Sequence, residues 1–226
     1  MTGQLDDDVS AKTPPRREGR LFPIAAASGV GIGLFSILAD GILPGRLFVL
    51  LGNMAAPWGF VAFLVGRRAT SIRRGAIAGA MTLLVGVVVY YIGAAIRSYA
   101  FGGQTIAWTV VALVAGPVMG LCGAATAARP SRPPIPAVVV PSAMLVAEAL
   151  FQLYSDRAWR WNLATVPYRL AELGLALALV AGGFLVPRLL MKDPHDRHLA
   201  YLLVPVVAVV GAAGLVMFER LIVRIT

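Results

Sequence analysis

Two glutamates pose the chemical question in this chain. Glu148 and Glu172 each lie about five residues inside a long apolar stretch, and no basic residue falls within one helical turn of Glu148. An ionisable side chain in a membrane-spanning stretch costs about 2.5–3.5 kcal/mol at its centre and less near the interface, so it normally faces a bundle interior or a wet cavity. A carboxyl group held there suits proton carriage or general-acid chemistry. Other polar groups keep it company. Gln152 follows Glu148 by four residues and shares its helix face, and Arg169 precedes Glu172 by three and can pair with it. Arg97 follows Tyr90 by seven, again on one face, and Tyr91 stands beside it. Pro57 removes the hydrogen bond that the Asn53 carbonyl would otherwise accept, which predicts a polar notch or kink next to the Asn53 amide and close to Trp58. Asn53, Trp58, Tyr90, Tyr91, Arg97, Glu148, Gln152, Arg169 and Glu172 are therefore the candidate ligand-binding residues, with Glu148 and Glu172 the candidate acids.

The elements that must position them are apolar segments at 21–39, 47–66, 75–96, 104–127, 135–153, 167–187 and 199–219. Each is near the ~20 residues needed to cross ~30 Å of hydrocarbon. The chain is 58% hydrophobic and 14% charged, against about 45–50% and 25% in soluble domains, and its mean hydropathy is +0.79. We expect an all-α polytopic transmembrane bundle of seven spans, forming a single domain over residues 21–226 behind a disordered cytoplasmic tail at 1–20. The fifth segment is the weakest, because Pro136 and Pro141 lie near its start; without it six spans remain.

Charge orients the bundle. The connections on one side hold 13 of the 20 Lys and Arg residues, including Arg67, Arg68, Arg73 and Arg74, and the other side holds 7. The positive-inside rule places the first side, and the N-terminus, in the cytoplasm and the C-terminus outside. The net charge of +9 then reflects topology and anionic headgroups rather than nucleic acid. The expected location is the bacterial cytoplasmic (inner) membrane. Counting inward at 1.5 Å per residue, Asn53, Tyr90, Tyr91, Glu148 and Glu172 all fall about 8–9 Å below the outer boundary. Asp40, Arg97, Gln104, Gln152, Asp156, Arg169 and Glu219 lie above them, and the cytoplasmic half holds no comparable set. This asymmetry predicts an outward-facing polar pocket. The alternatives residue by residue are structural: Asp40 as a helix cap or partner of Arg46, the tyrosines and Trp58, Trp108, Trp159 and Trp161 as interfacial anchors, and Arg169–Glu172 as an interfacial ion pair.

Gly75/Gly79 and Gly116/Gly120 have GxxxG spacing, and Gly29, Gly31 and Gly33 thin one side of the first segment. Both suit close helix packing within the monomer or in a homo-oligomer. Cys122 is the single cysteine and reads as a small packing residue. His195 and His198 share a Pro-broken loop at 192–198, expected to be solvated, and no metal site is expected there. Walker A, dinucleotide-binding, HExxH, GxSxG and Asp-rich prenyl-diphosphate patterns are missing from the sequence, so no cofactor is expected.

Asn53-Met54-Ala55-Ala56-Pro57-Trp58, then Ala62-Phe63-Leu64-Val65-Gly66, the arginine loop, Arg74-Gly75-Ala76-Ile77-Ala78-Gly79 and Tyr90-Tyr91 together resemble a family of uncharacterised actinobacterial integral membrane proteins, the DUF6518-like group, over residues 45–125. The resemblance carries no activity. It implies that the Asn53–Trp58 turn and the Tyr90-Tyr91 pair belong together.

Three functions fit these observations. The first is small-solute binding or transport through the outward pocket, with energy supplied by membrane partner subunits. The second is a membrane-embedded enzyme that protonates an apolar substrate, as terpene cyclases do. The third is a non-catalytic subunit whose partners are the lipid bilayer and other membrane proteins. The topology has a direct test. A reporter fused after Thr226 is expected to be active only on the outer side, and activity in the cytoplasm would remove the seven-span arrangement and invert the pocket.

Overall fold

The computed structural model describes residues 19–40, 46–97, 103–155 and 166–225, and all regular structure among them is helical. The elements are α1 (Leu21–Ala39), α2 (Arg46–Asn53), α3 (Ala55–Gly66), α4 (Ile72–Ile96), α5 (Gly103–Ala128), α6 (Ile135–Ser155), α7 (Val166–Leu190) and α8 (Pro194–Ile225). Among the described residues six helices, α1 and α4 to α8, are long and apolar enough to cross a membrane. The chain is thus an all-α polytopic bundle. The tail expected at 1–20 falls almost wholly outside the described residues, as does the external loop with Trp159 and Trp161.

The second apolar segment departs from expectation. It is not one helix but two, of 8 and 12 residues. They meet at Met54, whose φ of −77° and ψ of 136° are extended. At 1.5 Å per residue α3 alone covers about 18 Å, short of the ~30 Å of hydrocarbon. Six continuous spans and one divided segment therefore stand where seven similar spans are expected. The fifth segment, suspected for its prolines, is the continuous 21-residue α6 with Pro141 inside it. Pro136 is tolerated because it lies in the first turn, where an N–H has no intrahelical partner in any case.

Glycine brings α3, α4 and α5 into backbone contact. A Cβ on Gly120 would sit 2.1 Å from the Gly75 carbonyl oxygen, one on Gly79 2.2 Å from that of Gly116, and one on Gly123 2.1 Å from that of Phe63. No side chain fits at such a separation, so both GxxxG pairs are spent on packing within one chain. Gly29 and Gly33 do the same for α1 on α4, facing the carbonyls of Thr82 and Gly86, whereas Gly31 meets nothing and points away. A second group, α6, α7 and α8, packs through Val138, Val139, Val146, Val186, Ala200 and Val204. α6 joins the two groups, since it also meets α3 and α5.

The helix starts have local causes at one end of the bundle. Ser71 caps α4 by accepting the Arg74 N–H at 3.3 Å. Asp193 caps α8 by accepting the His195 N–H at 2.8 Å, with Pro194 in the first helical position. α8 consequently begins five residues before its apolar segment, and His195 and His198 lie in its opening turns rather than in a loop. Arg132, in the α5–α6 connection, holds Asp196 at 2.8 Å and ties that connection to α8. Contacts of Gly66 with Gly120 and of Arg132 with Asp196 bring the connections α3–α4, α5–α6 and α7–α8 to the same, arginine-rich end.

The glycine contacts generate a sharp contrast between two substitutions. Gly120→Val is expected to destabilise the purified protein by at least about 1–3 kcal/mol, the usual cost of overpacking, whereas Gly31→Ala, in open space, should leave the melting temperature unchanged or raised. Equal melting temperatures for the two variants would contradict the packing of α5 against α4.

Candidate functional site

The break between α2 and α3 explains the site. A helix that starts inside a bundle exposes backbone N–H groups with no intrahelical partner, and hydrocarbon offers none. Here three devices deal with them. Ala55 and Ala56 both donate to Glu148 Oε2 on α6, at 3.0 and 3.2 Å. Pro57, the third residue of α3, has no N–H to satisfy. The Glu148 carboxyl group also lies against the positive end of the helix dipole. The other carboxyl oxygen of Glu148 accepts from Gln152 Nε2 at 3.2 Å, and the residue is only 3% exposed. Glu148 therefore caps the start of a half-helix from another helix, 93 positions along the chain.

The other half of the break is matched by α1. The Gly52 carbonyl accepts from Ser36 Oγ at 2.7 Å and from Trp58 Nε1 at 3.4 Å, and Trp58 Nε1 also reaches Ser36 Oγ at 3.2 Å. Trp58 thus bridges α3 to α1 and α2, rather than acting only as an interfacial anchor. Asp40, at the C-terminal end of α1, gathers the neighbours. Asn53 Nδ2 donates to its Oδ1, and the Tyr90 hydroxyl donates to its Oδ2 at 2.6 Å. Asp40 does more than cap a helix: it joins the turn at Asn53 to Tyr90 on α4, the association implied by the family resemblance. Arg97 turns to α1 and donates to the Ile37 carbonyl at 3.0 Å.

A cavity opens at this break, between α2 and α3 on one side and α4 and α5 on the other. Its volume is about 100 Å³. Asn53, Trp58, Tyr90 and Tyr91 line it, together with Gln104 and Trp108 from α5, and Met144 from α6 completes the wall. The Tyr90 and Tyr91 rings meet edge to face at 5.2 Å and 84°. Trp108 is held from behind by Phe218 of α8, with ring centroids 5.7 Å apart and 74° between planes. Among the described residues that line the cavity, none carries a charge.

The sequence-derived set therefore divides. Asn53, Trp58, Tyr90 and Tyr91 come together around one cavity. Glu148 and Gln152 stand behind it and hold its floor, while Arg97 closes on α1. Arg169 and Glu172 form a 2.7 Å ion pair on α7, with side chains 16% and 6% exposed, and neither lines the cavity. Equal depth did not mean a shared azimuth. Four participants escaped the candidate set: Ser36 and Asp40, and Gln104 and Trp108. Each pair is four residues apart on one helix, so a polar i, i+4 pattern near a helix end was the available signal.

Comparison with known proteins adds a family. A model described as a family of unknown function, DUF6518, matches residues 12–222, well beyond the 45–125 that the motifs indicated. Neither a curated protein nor a solved structure matches the chain.

The cap makes a quantitative demand on Glu148. Glu148→Ala leaves two buried N–H groups without an acceptor and should lower unfolding stability by about 2–4 kcal/mol. Glu148→Gln keeps one acceptor oxygen and should cost less than half of that. Thermal unfolding of the purified variants distinguishes them, and an alanine variant as stable as wild type would refute the capping role.

Proposed function

We propose, for a chain that belongs to the DUF6518 family across residues 12–222, that the protein binds a small solute in the cavity at the broken helix and carries it across the membrane. The observation that carries this reading is the divided segment opening onto a walled cavity. Interrupted helices in membrane transporters sit at substrate sites, because unwound backbone and half-helix ends supply polar contacts that lipid cannot. The cavity joins such a break to four aromatic side chains, Trp58, Tyr90, Tyr91 and Trp108. That combination of mostly apolar walls and a few convergent polar groups is the usual character of a small-molecule site.

The same geometry gives less support to acid catalysis. Both oxygens of Glu148 are engaged, by two backbone N–H groups and by Gln152. Glu172 pairs with Arg169, and neither acid lines the cavity. A proton donor acting on a bound apolar substrate needs to reach it. The arginine distribution supports a cavity facing the outer side of a bacterial cytoplasmic membrane, with the N-terminus inside, and with α2 and α3 together making a seventh crossing.

Binding is measurable without knowing transport partners. Full-length protein in lipid nanodiscs, screened against amines, amino acids, sugars and vitamins, is expected to gain several degrees of melting temperature with at least one compound. Tyr91→Leu or Trp108→Leu should abolish that gain while leaving the unliganded melting temperature within a few degrees of wild type. If no compound stabilises the protein and a membrane partner co-purifies with it, the non-catalytic subunit function takes the place of solute binding.

A further inference from the structure

The cavity walls specify a class of solute, an inference that rests on the binding function proposed above. Three features coincide. The first is aromatic enclosure. Trp58, Tyr90, Tyr91 and Trp108 reach the cavity from three helices, and the edge-to-face packing of the two tyrosines sets their ring planes at 84° to each other. Aromatic faces carry negative potential, and rings placed at large angles can surround a compact cation on several sides.

The second is the direction of the polar groups. Asp40 takes a proton-donating group from each of two lining residues, the Asn53 amide and the Tyr90 hydroxyl. A phenol that donates to a carboxylate has a more electron-rich oxygen and ring. Trp58 spends its N–H on Ser36 and Gly52, so it presents its ring to the cavity. The polar end of the cavity is thereby backed by an anion one layer out.

The third is the position of positive charge. No Lys or Arg is among the described residues that line the cavity, and Arg97, six positions after Tyr91, turns away to donate to the Ile37 carbonyl. An anionic solute would meet aromatic faces and a second-layer carboxylate, both unfavourable to it.

We infer that the cavity is an aromatic cage for a small organic cation, an alkylammonium or quaternary ammonium group, with Trp58, Tyr90, Tyr91 and Trp108 as its walls and Asp40 as the counter-charge behind Tyr90 and Asn53. A cavity of about 100 Å³ suits a compact headgroup of this kind.

A charge-swap series tests the inference. Choline, its uncharged carbon isostere 3,3-dimethyl-1-butanol and the anion 3,3-dimethylbutyrate have nearly the same shape. Each is titrated into full-length protein in nanodiscs, with melting temperature and tryptophan fluorescence as readouts. Choline should bind saturably and at least roughly tenfold more tightly than the alcohol, the usual worth of a desolvated cation–π contact, and the butyrate should not bind. Trp108→Leu and Asp40→Asn should each narrow the gap between choline and the alcohol, with folding of both variants checked by their unliganded melting. Equal binding of choline and the alcohol, or preferential binding of the butyrate, overturns the cation assignment and leaves solute binding standing. If none of the three binds, the cage is overturned, and the broader screen then decides whether solute binding falls with it.

Discussion

The clasp between Glu148 and the start of α3 is the interaction on which the rest of the structure depends. A chain may interrupt a helix within hydrocarbon only where protein replaces the lost backbone partners. The interruption at Met54 is accommodated on both sides. Glu148 meets the N–H groups of α3, Pro57 removes one from the account, and Ser36 and Trp58 meet the Gly52 carbonyl that ends α2. Without these partners the segment would gain by closing into one continuous helix, and the space beside it would fill. The cavity is thus a product of the cap: where Glu148 holds α3, α2 is free to depart in another direction.

The frame around the break is unequal. α3, α4 and α5 touch backbone to backbone through glycines, which leaves little freedom for one to slide past another. The α6–α8 group is built from valine and alanine side chains. It meets the first group mainly through α6, where Met144, Glu148 and Ala149 approach the region of Met54 and Ala56, with Phe218 of α8 against Trp108 as a smaller contact. The cavity therefore has a stiff wall of α4 and α5 and a wall that depends on α6. That division places a buried carboxyl group on a helix end at the junction of the two groups.

Much of this arrangement is legible in the sequence. The apolar segments, the arginine-rich end and the glycine pairs follow from composition and spacing. Pro57 marks the interruption to within three residues. Counting depth from the segment ends places Asn53, Tyr90, Tyr91 and Glu148 at one level, and the structure brings three of them to one cavity and the fourth to its floor. Depth is blind to direction around the bundle, however, so Glu172 joined the set on level, and Arg97, Gln152 and Arg169 joined it through shared helix faces that do not say which way each face points. Asp40 was hidden by position, since an acidic residue at a helix end reads as a cap until its neighbours in space are known. The break at Met54 was underestimated for a similar reason. Methionine carries no conformational signal, and what stabilises the interruption is a residue 94 positions later in the chain.

That separation bears on how the protein is made. Membrane helices enter the bilayer roughly in the order of synthesis, and α2 and α3, of 8 and 12 residues, are each too short to settle there alone. The acceptor for the Ala55 and Ala56 N–H groups lies in α6, 93 and 92 positions further on. Until α6 emerges, the second segment has only an unbroken helix or a position at the membrane surface available to it. The interruption, and the cavity with it, is completed after insertion: a late event of assembly that waits on the second half of the chain.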